Sequence, residues 1–412
     1  MNSPPQLRVL QFVPEPLPTF RADVAVLFGR YLPRSGVSCH LVGPAASAAS
    51  VTDDEQVSRS SYHRSRLRRE WAYLCLCWRL LRRAQRGRYD VIQVRDMAAI
   101  GWLALQVARW KGIPFVYWMS FMMCDGRIGN ARAQLAAGGG WRARAVLWKG
   151  LAERWLLNRV VLPGAKHVFV QSEAMLDAVA AQGLARDKMT AVPMGVDTEV
   201  LHPRGIAARR LPGWDGVPVI AYLGTLDRPR CLHVVVDALA HVRRAHPQAR
   251  LLLIGDASSR PDLDALLAHA AGAGLASAVH VTGWMAASQA WPLLAGADLA
   301  VSYLPRGPLL DTNSPTKILE YLALGLPCVG NDNPDQAAVL GASQAGWLSG
   351  STAQELAQGM LQILADPGQA RQRATRGPDY IERHRSYRVL AEDVAGHYRV
   401  LVAAAPAVAA SA

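Results

Sequence analysis

Three things are scarce in this 412-residue chain: cysteine pairs, glycine-rich dinucleotide loops and long apolar runs. Its six cysteines are scattered, and only Cys75 and Cys77 lie close, as C-x-C. That is neither a metal spacing nor a disulfide framework, so reduced, mostly structural thiols in a cytosolic protein are expected. No strand-like run leads into G-x-G-x-x-G, which argues against a dinucleotide cofactor. The run "AYLCLCWRLL" contains Arg79 and falls short of the roughly 18 apolar residues that a bilayer span needs. "MNSPPQLRVLQFV" has no basic-then-apolar signal pattern. No RNA- or DNA-binding signature accompanies the basic composition, so nucleic acid is not the expected partner.

What is present describes a folding chain, 51% hydrophobic and 19% charged, long enough for two domains. Its net charge of +13 is uneven: residues 1–200 hold 27 Lys and Arg against 15 Asp and Glu, and residues 201–412 hold 18 against 17. The basic half therefore calls for an anionic surface or acceptor. Short apolar runs alternate with helical patterns: "RVLQFV", "VSCHLVG", "DVIQVR", "PFVYWMS", "HVFVQS" and "MTAVPMG", then "VPVIAYLG", "ARLLLIGD", "VHVTG", "DLAVSYL", "PCVGN" and "AGWLS". This is the pattern of parallel strands joined by right-handed helical crossovers. The Gly- and Pro-rich stretch "GVDTEVLHPRGIAARRLPGWDG" separates two such series. Two Rossmann-like domains facing across a cleft are predicted, with ligands outside the carboxyl ends of the strands. The domains are placed at 1–200 and 201–385. A further helix follows over 386–404, and then an Ala-rich tail expected to fray.

The segment "SPTKILEYLALGLPCVGND", Ser314 to Asp332, carries the most chemistry. Ser314 reads as the N-cap and Pro315 as the first helical residue, with Gly325 and Pro327 ending the helix before a strand at Pro327–Asn331. Ile318, Leu319, Leu322 and Ala323 make its buried face, while Lys317 and Glu320 share another. A lysine among the free N–H groups of a first turn suits a diphosphate, and a carboxylate one turn deeper can accept from a vicinal diol such as ribose. The alternative is an ordinary surface Lys–Glu pair, worth about 0.2–0.5 kcal/mol.

The same segment resembles the donor-binding signature of family 4 glycosyltransferases, retaining enzymes of GT-B fold. Further matches occur in order: "VFVQSEAMLDAVAAQGLARDKMTAVPMGVDTEVLHP", "AYLGTLDRPRCLHVVVDALAHVRRAHPQARLLLIGDA" and "VHVTGWM", which contains Gly283. The likeness is good over about 165–345 and loose before it. It implies that Glu320 holds the nucleotide ribose, and that Lys317 and its helix start, Pro315, Thr316 and Ile318 included, lie at the donor diphosphate. It also implies that the C-terminal helix returns to the first domain. After Gly224, Arg230 stands where the family usually has Lys, Cys231 stands for the following Gly, and Thr225 stands where an Arg is common. Arg228 is the compensating cation. Where the family shows a glutamate eight residues before Glu320, this chain has Thr312. Either Asp311 serves from a shifted loop, or backbone N–H groups near Asn313 and Ser314 hold the sugar.

The reaction implied is transfer with retention at the anomeric carbon, the leaving diphosphate being stabilised by fixed positive charge with no metal or cofactor. No histidine follows "PFVYWM"; Ser120 lies there instead. Asp125 is either an acceptor-side carboxylate or a turn aspartate before Gly126. Arg95 and Asp96 sit at a strand end, as an acceptor edge or, for Asp96, as a helix cap. The candidate catalytic set is Glu320, Lys317, Arg230 and Asp125.

Eight of twelve tryptophans precede residue 200. Trp141, Trp148 and Trp155 recur at sevens among Arg and Lys; Leu67, Trp71, Leu74, Trp78 and Leu81 form a second stripe. Such faces either lie in the headgroup layer of an anionic membrane or pack on the sheet. The chain thus reads as a cytoplasmic, peripheral-membrane glycosyltransferase of polysaccharide or glycolipid assembly. Its donor would be a UDP- or GDP-sugar and its acceptor a glycan or lipid-linked sugar. The rivals are a nucleotide-sugar 2-epimerase, for which acid/base residues are few, a nucleic-acid binder, and a non-catalytic scaffold.

Overall fold

A computed structural model describes residues 6–47 and 56–404. The Ala-rich tail beyond 404, expected to fray, and the first five residues of "MNSPPQLRVLQFV" lie outside the described residues. Among those described, the chain forms two compact units, 1–193 with 387–412, and 194–386. The division falls at 193/194 and not at 200/201, because Val196 bridges to Ser386 and the Met194 N–H donates to Ser314.

The first unit has a seven-stranded parallel sheet ordered β3-β2-β1-β4-β5-β6-β7. The strands are β1 (Leu7–Phe12), β2 (Val37–Pro44), β3 (Val57–Ser60), β4 (Val91–Arg95), β5 (Phe115–Met119), β6 (His167–Val170) and β7 (Met189–Ala191). β4 and β5 are buried along their whole length, which is why they read as unbroken apolar runs. β3, sequence VSRS, is the strand the sequence does not announce, since Val57 is its only apolar residue. The helices that matter below are α1 (Arg66–Arg83), α2 (Ala98–Lys111), α3 (Met123–Ala136) and α4 (Trp141–Leu156). α1 packs on α2, and α2 on α4, with α1 and α2 lying on the sheet. The C-terminal helix, Tyr387–Ala403, belongs to this unit: Tyr387, Leu390, Val394 and Tyr398 enter the core with Val9, Phe28 and Phe169, and the Tyr398 hydroxyl donates to Gln93 at 2.5 Å.

The second unit has a six-stranded parallel sheet ordered β10-β9-β8-β11-β12-β13. Its strands are β8 (Val219–Leu223), β9 (Arg250–Ile254), β10 (Val279–Val281), β11 (Leu299–Ser302), β12 (Cys328–Asn331) and β13 (Trp347–Ser349). The helix α5 (Thr316–Ala323) leads from β11 to β12 and buries Ile318, Leu319, Tyr321, Leu322 and Ala323. In each sheet the winding reverses once, between β1 and β4 and between β8 and β11. Those switch points open a crevice at the carboxyl ends of the strands, and both contain charged residues.

Candidate active site

At the second switch point three glycines end adjacent strands. Gly224 after β8 has φ 138° and Gly255 after β9 has φ 145°. A Cβ on Gly255 would fall 2.0 Å from the Gly224 carbonyl oxygen, so only glycine fits. Across this flat floor lies Lys317. Its side chain runs along Gly224, and its Nζ is 5.2 Å from the Tyr222 ring centroid. The Tyr222 and Tyr321 hydroxyls brace the floor, the first donating to the Thr225 carbonyl at 3.3 Å and the second accepting from the Leu223 N–H at 3.0 Å.

α5 starts differently from the sequence expectation. Its N-cap is Pro315, in extended conformation and with no side-chain cap. Ser314 is buried and does not cap: its hydroxyl accepts from the Met194 N–H at 3.0 Å and donates to Asp335 at 2.6 Å. A serine so engaged cannot turn back to the helix. The N–H groups of the first turn therefore stay without a side-chain acceptor, the condition for anion binding. The side chain of Ile318 is fully buried, which leaves only its backbone for a ligand.

Lys317 and Glu320 are half-buried on one face of α5. Neither has a carboxylate or ammonium within ion-pair distance among the described residues. Burial, with the nearby Arg230 charge, brings Lys317 down to about 7. Burial raises Glu320 to about 7 against the opposing pull of Lys317. They are not an exposed surface pair. The adjoining turn, Arg228–Arg230, is anchored by the Arg228 N–H to Asp262 at 3.0 Å and by Asp227, which accepts from the Ser258 N–H at 2.6 Å. Arg230 is half-buried, whereas Arg228 and Thr225 are exposed. Cys231 adopts φ 52° and ψ 40°, the left-handed conformation a glycine takes freely. Gly283, at φ 75°, is the third glycine, after β10.

Asp311 is engaged elsewhere. Burial alone would raise its carboxyl, but hydrogen bonds from Arg306 at 2.8 Å and the Gly307 N–H at 3.2 Å outweigh this and hold it low. Arg306 also reaches Asp332 at 2.7 Å, so Asp311 is part of a loop clasp. The Thr312 hydroxyl donates to the Leu309 carbonyl. Asn313 keeps a buried side-chain oxygen without a hydrogen-bond donor.

The first switch point is arranged the opposite way. Arg95 is wholly buried and donates to Glu15, to Asp23 at 2.5 Å and to the Ser120 hydroxyl at 2.8 Å. Asp96, at φ 55°, accepts from the Ser120 N–H at 2.8 Å and from its hydroxyl. Burial pushes the Asp96 carboxyl up, with Arg95 and Ser120 opposing. The cap role is thereby corrected: the N-cap of α2 is Met97, and the Asp96 side chain is turned to Ser120. Glu15 and Asp23 were not singled out from sequence; the place of Glu15, in the loop after the first strand at the switch point, was the available signal. Asp125 is no turn residue either. It lies in the first turn of α3, 3.3 Å from Arg154, beside a crevice of about 10 Å³, room for one water at most.

The tryptophans of the two stripes do not pack on the sheet; of the second stripe only Leu81 is buried, while Leu67 and Leu74 are exposed with the tryptophans. Trp71, Trp141 and Trp148 are 70, 74 and 72% exposed, and Trp78 and Trp155 are exposed too. Only Ala143 and Gly150 of α4 are buried, Gly150 because Ile128 of α3 crowds its Cα. α2, between the stripes, adds exposed Trp102 and Trp110, which the sequence pattern did not flag. Among the described residues no helix is long and apolar enough to cross a membrane, and no three His, Cys, Asp or Glu side chains gather as a metal site.

Two family models match, between them covering most of the chain: Glycosyltransferase Family 4 over residues 23–200, and Glycosyl transferases group 1 over 217–366. No curated protein matches in sequence. Among solved structures the chain is similar to Anabaena HepE in complex with UDP and glucose, at 17% identity, TM-score 0.68, and 95% and 99% coverage of the two chains. It is also similar to the sucrose-phosphate synthase of Thermosynechococcus elongatus, at 18% identity, TM-score 0.70, and 97% and 100% coverage. A third is WaaG, a glycosyltransferase involved in lipopolysaccharide biosynthesis, at 13% identity, TM-score 0.65, and 95% and 99% coverage. The chain belongs to glycosyltransferase family 4 and is a retaining glycosyltransferase of GT-B fold that takes its sugar from a nucleotide-sugar.

Proposed function

We propose that the protein transfers a hexosyl group from a UDP- or GDP-sugar to a glycan or lipid-linked acceptor while its first unit rests on an anionic membrane. One observation carries the donor assignment: Lys317, in the uncapped first turn of α5, and Glu320, one turn on, have no ion-pair partner among the described residues, and both lie at the second switch point. A diphosphate supplies the counter-charge that Lys317, Arg230 and the first-turn N–H groups lack. The two ribose hydroxyls supply donors for Glu320. As the bond between the anomeric carbon and the diphosphate oxygen breaks, negative charge grows on the leaving group, and these fixed cations and dipoles stabilise it. That charge balance needs no metal in this reading. Asn313, with its unfilled acceptor oxygen, is the sugar-facing candidate in place of Asp311, which the Arg306 clasp occupies. The named complexes of HepE with UDP and UDP-glucose favour a uridine donor.

On the acceptor side Asp96 and Ser120 offer polar groups, with Arg95 positioning Asp96 from within the core. The membrane reading is supported by seven exposed tryptophans on the adjoining α1, α2 and α4, interspersed with Arg and Lys. The deciding experiment is transfer of labelled sugar from UDP- and GDP-sugars to lipid-linked acceptors in anionic vesicles, with the anomeric configuration of the product read by NMR. A retained configuration from one donor supports the proposal. Sugar epimerised without acceptor, or no transfer from any donor, contradicts it.

A further inference from the structure

A second concave site lies at the other end of the first unit's sheet, at the amino ends of β5, β6 and β7. It is a cavity of about 430 Å³ between the last turn of α2 and the segments that enter those strands. Arg109, Lys166 and Lys188 line it, and no Asp or Glu does. None of the three cations has a carboxylate within ion-pair distance among the described residues. Lys188 is held in place by donating to the Pro163 carbonyl at 3.0 Å. Arg109 lies over Gly164, where a Cβ would come within 2.8 Å of its Nη2. The remaining wall is apolar: Leu105, Ala108, Ile113, Pro114 and Phe115. Substrates of doubly wound sheets bind at the opposite, carboxyl end, so this cavity does not belong to the transfer site.

Its surroundings name the occupant. Arg109 is followed by Trp110, 81% exposed, and then by Lys111, whose ammonium lies 5.6 Å from that indole ring. Lys111 also donates to the Arg82 carbonyl at 2.5 Å, tying α2 to the basic end of α1, Arg82 and Arg83. Arg86 borders Gly112 on the cavity rim. The cavity thus continues the exposed tryptophan layer, with cations where headgroup phosphates lie and an apolar wall where a glycerol backbone lies. The geometry points to a binding site for the phosphate headgroup of an anionic phospholipid, held by Arg109, Lys166 and Lys188. The inference rests on the membrane face proposed above and adds that the face selects phosphate-bearing lipid.

Cosedimentation of the full chain with two vesicle types of equal surface charge tests it, one carrying phosphatidylglycerol and the other oleate in phosphatidylcholine. Wild type is expected to bind the phosphatidylglycerol vesicles about tenfold more tightly. Lys166→Gln/Lys188→Gln, with an unchanged melting temperature, loses that preference yet still sediments with both. Arg68→Gln/Arg69→Gln, which removes as many charges away from the cavity, weakens both equally and keeps the preference. If wild type binds both vesicles alike, the cavity does not read headgroups, and the tryptophan face survives alone. If wild type binds neither, the membrane face itself fails, and this site with it. If inorganic phosphate raises the melting temperature of wild type but not of Lys166→Gln/Lys188→Gln, with no vesicle preference, the cavity takes soluble phosphate and the lipid assignment is overturned.

Discussion

The two units share one topology and treat charge at their switch points in opposite ways. In the first, one guanidinium, Arg95, is ion-paired within the fold by Glu15, Asp23 and Asp96, and only its Nε and one Glu15 oxygen lack a hydrogen bond among the described residues. In the second, Lys317 and Glu320 are half-buried with no ion-pair partner among the described residues. Satisfied charge is structural; unsatisfied charge marks where a ligand completes the site. The contrast extends to the outside: the excess positive charge and seven exposed tryptophans belong to the first unit, while the second is close to neutral and exposes Trp284.

The largest effect should come from breaking the satisfied side. Arg95→Met removes the cation that Glu15, Asp23 and Asp96 share, leaving only Asp23 with a second cation, Arg21, and should cost about 3–5 kcal/mol of stability. Calorimetry should show the melting transition falling steeply. An unchanged transition would mean that the Arg95 cluster is not structural. Next, Glu320→Ala removes acceptors for ligand hydroxyls and should weaken donor binding by roughly 10- to 100-fold, since hydrogen bonds to charged groups are worth about 1.5–3 kcal/mol. Titration calorimetry with the nucleoside diphosphate reads this directly, and near-wild-type affinity would remove Glu320 from the site.

The pH dependence of the empty protein should sharpen the same contrast. Lys317 titrates near 7 in the fold against an ordinary 10.5. Between those values the unfolded chain holds the extra proton, so stability rises with pH. Glu320 titrates near 7 against an ordinary 4.5. Between 4.5 and 7 the folded state holds the extra proton, so stability falls as pH rises. The pair therefore contributes a stability minimum near pH 7 that Lys317→Met/Glu320→Gln should flatten. A pH–stability curve identical in that variant would contradict the assignment. The smallest effect concerns Cys231: Cys231→Gly relieves a left-handed side-chain clash and should add about 1 kcal/mol, read as a higher urea midpoint.

Twelve of the thirteen strands were legible from sequence, the central ones, such as β4 and β5, because full burial leaves unbroken apolar runs; β7, β10 and β13 are only partly buried, and VSRS of β3 was not legible at all. The buried face of α5 was equally plain from Ile318, Leu319, Leu322 and Ala323. What sequence did not convey was side-chain commitment over long separations. Ser314 has the residue type and place of an N-cap, but Met194 and Asp335 claim its hydroxyl from far along the chain. Asp96 precedes a helix as a cap would, yet Ser120 turns it away. Asp311 stands near the expected acidic position, and Arg306 occupies it. The tryptophan stripes have the period of core-facing helices, and only the fold reveals that, Leu81 apart, they point outward.

The most direct measurement is the melting temperature of wild type and Lys317→Met, each with and without UDP and GDP. The unpaired ammonium destabilises the empty fold, so the variant should melt higher than wild type by about 2–4 °C per kcal/mol relieved. A saturating nucleotide at 100 times its Kd should stabilise wild type by about 2.7 kcal/mol and stabilise the variant clearly less at the same concentration. A variant that melts lower than wild type and still responds fully to the same nucleotide would contradict the account.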